Sequence, residues 1–108
     1  MKKKIVVIPV HNQLPYFIKA FESVKKYSPD AIVIVVDDGS TDDETSKYLW
    51  RNNDSYLLLE NEIAQGFSSA CNKGIQYALD NFDFNCLCLL NSDADVVTND
   101  WFTKVEKH

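Results

Sequence analysis

This 108-residue sequence lacks the features that mark several classes of protein. Its three cysteines are an odd number without regular spacing, which argues against a disulfide framework and favours reduced thiols in a core. No apolar run approaches the roughly 18 residues that a membrane-spanning helix needs. Basic residues are outnumbered, 11 to 16, and the net charge of -5 argues against a nucleic-acid partner, because phosphate backbones are bound by clustered Lys and Arg.

The one basic cluster is formed by the lysines at positions 2–4. The apolar stretch after it is too short for a signal peptide, and no small-residue cleavage site follows. We therefore expect a cytoplasmic protein. A solubilising N-terminal tail is the favoured interpretation of the three lysines, and contact with the inner face of the membrane is the alternative.

What the sequence does contain is a hydrophobic content of 45%, enough for the core of one small domain. Unbroken apolar runs predict strands covered on both faces, and hence paired in parallel, at residues 5–8, 32–36, 57–59 and 87–90. Helical spacing occurs at residues 14–24 and 67–79, and Thr41 with Glu44 forms the pattern of a capping box. Trp101, Phe102 and Val105 predict a last short helix. The order βαβαβαβα predicts a three-layer α/β domain with a sheet of about four strands.

Polar residues follow each predicted strand, at the edge of a parallel sheet where ligands bind. Two of these segments hold aspartate pairs, Asp37 with Asp38 and Asp93 with Asp95. Four carboxylates on one edge repel one another unless a cation lies among them, and hard oxygen ligands suit Mg²⁺ or Mn²⁺. We therefore predict a divalent cation at Asp93 and Asp95, whose side chains point the same way in an extended segment. The alternative for this Asp-x-Asp pair is a solvated turn.

The first aspartate pair precedes Gly39 and Ser40, a pattern that is also typical of a turn leading into a helix. One carboxylate of the pair can cap backbone N–H groups while the other accepts a hydrogen bond from a nucleobase. Uracil and thymine carry an N–H at ring position N3, whereas cytosine has an acceptor there. A carboxylate therefore favours ligands that contain UDP or dTDP over ligands that contain CDP.

Four further residues are candidates for the same site, and two of them, His11 and Lys73, also have a simpler interpretation. His11 can stack on a nucleobase, or it is a surface loop histidine. Gly66, before the third helix, lets backbone approach a ligand closely. Asn72 and Lys73 follow one to two turns later, where Lys73 can neutralise a diphosphate or simply be solvated.

Four segments resemble, in order and spacing, the motifs of family 2 glycosyltransferases with the GT-A fold: IVVIPVHN (5–12), IVVDDGSTD (34–42), GFSSACNKGI (66–75) and LLNSDADV (89–96). The last motif, with Trp101 after it, is similar to the rhamnosyltransferase-like branch. The resemblance implies a Rossmann-like half domain with strand order 3-2-1-4. It also implies inverting, metal-dependent transfer of a sugar from a UDP- or dTDP-sugar to a hydroxyl of an acceptor saccharide or lipid-linked glycan.

The resemblance further implies roles for individual residues. The set that it assigns to nucleotide-sugar binding is Pro9, His11, Asp37, Asp38, Asn72, Lys73 and Asp93, with Asp93 and Asp95 holding the Mg²⁺ or Mn²⁺ ion. In this set Pro9 and His11 line the base pocket, where the family usually has an aromatic residue. Asp38 binds the base, and Asp37 supports it or the ribose.

Only thirteen residues follow Asp95, whereas the family continues into strands that hold the acceptor site and the general base. We therefore expect residues 1–108 to be the nucleotide-sugar-binding part of a GT-A domain, truncated before its acceptor-binding half. The catalytic base is expected beyond residue 108, and this chain alone is expected to be inactive. Truncation leaves the fourth strand as an open apolar edge, which predicts self-association.

Two other classes of protein compete with a transferase. A non-catalytic nucleotide-binding or assembly fragment is compatible with the truncated chain. A signalling receiver domain is also a small acidic α/β unit that binds Mg²⁺. Its acidic pair follows the first strand and its phosphorylated aspartate follows the third, however, whereas the pairs in this sequence follow the second and fourth predicted strands.

Overall fold

Strands and helices alternate along the computed structural model, which describes residues 3–90 and 103–105. The elements within these ranges are β1 (Lys3–Val10), α1 (Leu14–Tyr27), β2 (Ile32–Asp38), α2 (Asp43–Arg51), β3 (Leu57–Asn61), α3 (Phe67–Asn81), β4 (Phe84–Leu89) and β5 (Thr103–Val105). The strands form one sheet in the order β3-β2-β1-β4-β5. Its first four strands are parallel, so the predicted α/β fold with strand order 3-2-1-4 is confirmed.

The two ends of the described chain differ from the predictions. Lys3 and Lys4 belong to β1 and not to a solubilising tail. Thr103–Val105 forms a strand antiparallel to β4, so the predicted last helix is wrong there. Closely spaced apolar residues fit a short strand as well as a helical turn, and a neighbouring unpaired strand edge favours the strand. Because β5 pairs with Leu87–Leu89, this part of β4 is not the open edge that the sequence predicts. Self-association itself stays a prediction.

Both faces of the sheet are covered, because strand residues alternate between them. One face packs against α1 and α2, in a core that includes Val6, Ile8, Val33, Val35, Phe17 and Leu49. The other face packs against α3, in a core that includes Ile5, Val7, Ile34, Val36, Ala70 and Ala78. The alternation along β2 therefore directs Asp37 toward the side of α1 and α2, and Asp38 toward the side of α3. None of the described helices is both long enough and apolar enough to span a bilayer.

An aromatic cluster joins α1 to α2 on the first of these faces. The ring of Phe17 lies 5.9 Å from that of Phe21 and makes edge contacts with Tyr48 and Tyr56 at 6.5 and 5.8 Å. The Tyr56 hydroxyl donates a hydrogen bond to the backbone oxygen of Leu49 at 2.8 Å. Burial raises the pKa of Tyr56, so this hydroxyl keeps its proton and its hydrogen bond across the neutral range.

The start of α2 differs by one residue from the predicted capping box. Asp42 is the N-cap, and its carboxylate accepts from the Glu44 N–H at 2.9 Å and from the Thr45 hydroxyl at 3.1 Å. The Thr41 hydroxyl instead accepts from the side chain of Asn12. Thr41 is engaged by a neighbouring loop, and so the next residue along the chain caps the helix.

Helix α3 lies unusually close to the sheet at Gly74. A Cβ atom on this residue would stand 2.5 Å from a methyl carbon of Val7 and 3.3 Å from one of Val36. Both valines are fully buried in the centre of the sheet, so neither has room to move away. The glycine therefore sets the distance between α3 and strands β1 and β2.

We predict that Gly74→Ala destabilises the fold. Alanine favours a helix over glycine by about 1 kcal/mol, but forcing a methyl group into a packed core costs about 1–3 kcal/mol. Urea unfolding should therefore show a lower free energy of unfolding than in the wild type. Ser68→Ala, at an exposed position of the same helix, is the control and should change it by less than about 0.5 kcal/mol. A Gly74→Ala variant more stable than the wild type would contradict the close packing.

Candidate functional site

The loops after β1 and β2 are joined by the side chain of Asn12. Its Oδ1 accepts hydrogen bonds from the backbone N–H groups of Thr41 and Asp42, both at 2.9 Å, and its Nδ2 donates to the Thr41 hydroxyl at 3.2 Å. The Asn12 backbone N–H donates to the Ser40 hydroxyl at 2.9 Å. Asn12 and Gln13 adopt positive φ angles of 56° and 55°, a conformation that asparagine tolerates better than most residues. Asn12 thus fixes the loop that carries His11 against the second loop.

His11 is held at the same edge by a hydrogen bond of its own. Its Nδ1 lies 2.8 Å from the backbone oxygen of Asp38. A carbonyl oxygen only accepts, so Nδ1 carries the hydrogen and Nε2 of the neutral ring remains an acceptor. The ring itself is exposed. His11 therefore presents an accessible ring beside Asp38, and its role as a stacking partner for a base stays a prediction.

The Asp38 carboxylate connects β2 to the loop before α3. Its Oδ1 accepts from the Asn61 side-chain amide at 2.9 Å and from the Gln65 N–H at 2.8 Å, and its Oδ2 accepts from the Gly66 N–H at 2.9 Å. Gly66 is the N-cap of α3 and has no side chain that could cap the helix. Asp38 holds the N-cap residue and the residue before it through their N–H groups, and the positive end of the helix dipole nearby also favours an anion.

Asp38 is ionised at neutral pH although only 5% of its surface is exposed. Burial raises its pKa, but the hydrogen bonds from Gln65, Asn61 and Gly66, together with the charge of His11 in its protonated form, lower it by more. The net result is a pKa below the usual value of 3.8. A carboxylate offers about four acceptor positions, and three are occupied by the protein. Among residues 3–90 and 103–105, no further donor occupies the second position on Oδ2.

Asp37 has a different environment, on the opposite face of the sheet. Its Oδ1 accepts from the Ser40 N–H at 3.1 Å, closing the turn that follows β2, and the side chain is 4% exposed. Asp37 is thus the member of the pair that stabilises the turn, as the sequence predicts for one of the two. In this turn Gly39 has a φ of 62°, and a Cβ there would overlap the backbone of Ala64. Only glycine fits where the second and third loops touch.

Lys73 reaches from α3 to the end of β3. Its Nζ donates to the backbone oxygen of Glu60 at 2.7 Å and to Oδ1 of Asn61 at 2.8 Å. This position lies next to Asp38, which Asn61 also contacts. The neighbouring Asn72 is exposed on the same helix. Lys73 lines an open depression of about 340 Å³, whose other lining residues are Glu60, Asn61, Glu62, Ile63 and Gln65.

Pro9 is buried within β1, where proline is unusual because it lacks a backbone donor. The Leu90 N–H donates to the Val7 oxygen at 3.0 Å, so the backbone groups of Val7 face β4. The backbone groups of Pro9, two residues further on, also face the side of β4. They lie past Val7 and Leu89, the last pair of residues between the two strands. The missing N–H therefore breaks no described pairing. The structure brings Pro9 to the edge of the site as a buried residue.

The two predicted metal ligands, Asp93 and Asp95, lie outside the described residues. Within residues 3–90 and 103–105 no group of three or more His, Cys, Asp or Glu side chains could hold a metal ion. Sequence reasoning missed Asn12 and Asn61, which hold the loops together. A signal for both was present, since each follows a predicted strand at the ligand-binding edge, but an isolated asparagine there is common in turns.

Residues 5–108 match the profile of a protein family described as Glycosyl transferase family 2. The fold is similar to that of mannosyltransferase PcManGT from Pyrobaculum calidifontis in complex with GDP-Man and Mn²⁺, with a TM-score of 0.73 and 22% identity over 91% of this chain and 29% of that one. It is also similar to S. aureus TarS 1-349 in complex with UDP-GlcNAc, with a TM-score of 0.68 and 24% identity over 84% of this chain and 26% of that one.

The same part of TarS in complex with UDP gives a TM-score of 0.67, with 24% identity over 84% of this chain and 27% of that one. This chain therefore spans less than a third of the length of these structures. A comparison with curated proteins found no match. At such identities the likeness of the structures shows the fold, and the family profile shows the family.

We predict that Asp38→Asn destabilises the protein in a pH-dependent way. The variant loses one acceptor oxygen opposite the Gln65 and Gly66 N–H groups, which should cost about 1–3 kcal/mol at pH 7. Because the pKa of Asp38 is lowered by folding, its contribution is complete above the usual value of 3.8 and is lost as the pH falls through the folded-state pKa. Urea unfolding at decreasing pH should therefore show the two stabilities converging.

Asp54→Asn, at an exposed turn, is the matched control and should follow the wild type at every pH. A difference between Asp38→Asn and wild type that is equally large at pH 7 and well below the folded-state pKa would contradict the role of the ionised carboxylate.

Proposed function

The chain belongs to glycosyl transferase family 2, and we propose that it is the donor-binding part of an inverting, metal-dependent glycosyltransferase. The observation that carries the proposal is the meeting of three loops at one edge of the sheet, around an ionised Asp38. Ligands of open parallel sheets bind at this edge. The whole protein would transfer a hexose from a UDP- or dTDP-sugar to an acceptor saccharide or lipid-linked glycan.

The nucleoside would lie between the first and second loops. Asp38 accepts a hydrogen bond from the ring N–H of the base, a group that uracil and thymine offer and cytosine lacks. The exposed ring of His11, fixed through its Nδ1, stacks on the base. Pro9 lies at the bottom of this pocket, and Asp37 supports the ribose side. The fixed loops matter because a rigid site loses little entropy when the ligand binds.

The diphosphate would extend toward the end of β4, where the sequence holds Asp93 and Asp95. Two carboxylates of this kind suit Mg²⁺ or Mn²⁺, and we propose them as ligands of the ion, with Asp93 also contacting the ribose. A bound cation would offset the negative charge that develops on the departing nucleoside diphosphate. Asn72 and Lys73 approach the nucleotide from α3. Because the Lys73 ammonium group lies beside Asp38, we place it near the nucleobase and not near the metal ion.

Similar proteins support a nucleotide-sugar donor and a cation. PcManGT is in complex with GDP-Man and Mn²⁺, and TarS 1-349 is in complex with UDP or UDP-GlcNAc. This chain covers less than a third of each, so the acceptor, the general base and transfer itself belong to the proposal for a longer protein. A cytoplasmic location, with the inner face of the membrane as the alternative, also remains a prediction.

Thermal unfolding of this chain with UDP, with Mn²⁺ and with both together tests the proposal. UDP with Mn²⁺ at a hundred times the dissociation constant should stabilise the fold by about 2.7 kcal/mol. In the double variant Asp93→Asn, Asp95→Asn, the added effect of Mn²⁺ should disappear while weaker UDP binding remains. Asp83→Asn, between α3 and β4 at the opposite edge of the sheet, is the control.

Stabilisation by the cation alone, with no response to UDP, would contradict nucleotide binding and favour a receiver-like protein.

A further inference from the structure

Two buried thiols are in contact on the face of the sheet that packs against α1 and α2. Cys86 and Cys88 are two residues apart on β4, so both side chains point to the same face. Their Sγ atoms lie 3.7 Å apart, the distance of a weak hydrogen bond between thiols. Both cysteines are reduced, and both belong to the core on that face. The proposed nucleotide site uses neither of them.

The third cysteine of the chain cannot join this contact. Cys71 lies on α3, which packs against the opposite face of the sheet. It is buried, and burial raises the pKa of its thiol, which makes it a poor nucleophile. Of the three cysteines, only Cys86 and Cys88 are therefore placed to react with each other.

The two thiols of the pair differ in their access to solvent. Cys86 is 8% exposed, whereas Cys88 is 0% exposed. The strand register fits this difference, because Cys86 is opposite Lys4, which is only partly buried, and Cys88 is opposite Val6, which is buried. Cys86 thus lies at the rim of the core and Cys88 lies inside it. A small oxidant that enters from solvent meets Cys86 first.

We propose that Cys86 and Cys88 form a site of reversible oxidation, at which hydrogen peroxide converts the two thiols into a disulfide. The Cys86 sulfur attacks one peroxide oxygen and the O–O bond breaks, which leaves a sulfenic acid on Cys86 and releases the other oxygen, with the thiol proton, as water. The Cys88 sulfur then attacks the Cys86 sulfur. The S–S bond forms as the S–O bond breaks, and the hydroxyl leaves with the Cys88 proton as a second water. The dithiol loses two electrons and the peroxide gains them.

The geometry of β4 permits this bond at a cost. Disulfides usually join Cα atoms about 4.4–6.8 Å apart, and residues i and i+2 of an extended strand are about 6.6 Å apart. The pair is at the upper end of the range, so closing the bond shortens β4. The pairing with β1 is already irregular just before Cys86, since Lys3 is opposite Phe84 while Lys4 is opposite Cys86. The extra residue at this bulge gives β4 spare length for the change.

Oxidation should loosen the middle of β4. Leu87 lies between the two cysteines and pairs with Ile5 of β1 and with Val105 of β5. Shortening the strand around Leu87 strains both pairs, and a strained disulfide is easily reduced again. The proposal therefore describes a transient disulfide of the kind that senses oxidants, and it does not depend on nucleotide binding.

The test is peptide mapping of the 108-residue chain after treatment with hydrogen peroxide. Remaining thiols are blocked with N-ethylmaleimide in denaturant, and trypsin cleavage after Arg51, Lys73 and Lys104 separates Cys71 from the pair. The peptide of residues 74–104 should be lighter by two hydrogen atoms and carry no label, whereas Cys71 should be labelled. Dithiothreitol added before the blocking step should restore two labelled thiols in that peptide.

Single variants separate the roles of the two thiols. In Cys88→Ala, peroxide should leave a sulfenic acid on Cys86, which dimedone traps. In Cys86→Ala, the remaining Cys88 should react at least about 10-fold more slowly, because a fully buried thiol is inert. Cys71→Ala is the matched control, since it also removes a buried cysteine and should keep the disulfide. Far-UV circular dichroism establishes that each variant is folded.

Hydrogen exchange measures the effect on the strand. The amide of Leu87 should exchange at least about 10-fold faster in the oxidised protein, because strain lowers the free energy of local opening, and reduction should restore the original rate. The amide of Val35 in β2, which does not pair with β4, is the control and should keep its rate.

Each outcome decides one part of the proposal. A pair that stays unmodified, that stops at a sulfinic acid, or that links two molecules overturns the site of reversible oxidation. Equal rates in Cys86→Ala and Cys88→Ala overturn the order of attack. A disulfide that leaves exchange at Leu87 unchanged overturns the strain on β4.

Discussion

The arrangement of the site depends on one buried carboxylate. Asp38, at the end of a central strand, accepts hydrogen bonds from the Asn61 side chain and from the N–H groups of Gln65 and Gly66. These contacts hold the two residues that lead into α3, and with them the third loop, against the second loop. The same contacts offset the cost of burying the charge, because a buried carboxylate is tolerated when donors surround it. Without these hydrogen bonds, the third loop would no longer be attached to the end of β2.

The sheet determines what this carboxylate can reach. Alternation along β2 separates two adjacent aspartates, so that Asp37 closes the turn on one face while Asp38 holds the loop before α3 on the other. Asn12 then joins the first loop to the second, and Lys73 joins α3 to the end of β3. The loops that follow three strands are thereby held together by polar side chains outside the hydrophobic core. Under the proposed function, such rigidity would provide a prepared surface for a nucleotide.

Much of the fold follows from the period of the apolar residues. Unbroken apolar runs predict the four parallel strands, and helical spacing predicts α1 and α3. Both predictions succeed because the number of buried faces determines the spacing of apolar residues. The errors fall where contacts distant in sequence decide. Thr41 does not cap α2 because Asn12 occupies its hydroxyl, and Thr103–Val105 is a strand because β4 is beside it. Likewise no local sequence pattern predicts the role of Asn61, because its contact with Asp38 depends on a strand register that only the folded sheet creates.

The Asp38 carboxylate is the acceptor for the backbone of the third loop. A long-range HNCO experiment on the ¹³C, ¹⁵N-labelled protein at neutral pH measures this directly, because scalar coupling crosses a hydrogen bond. We expect correlations from the Gln65 and Gly66 amide nitrogens to the carboxyl carbon of Asp38. Absence of both correlations, in a spectrum that resolves the backbone hydrogen bonds of β1 with β2, would contradict it.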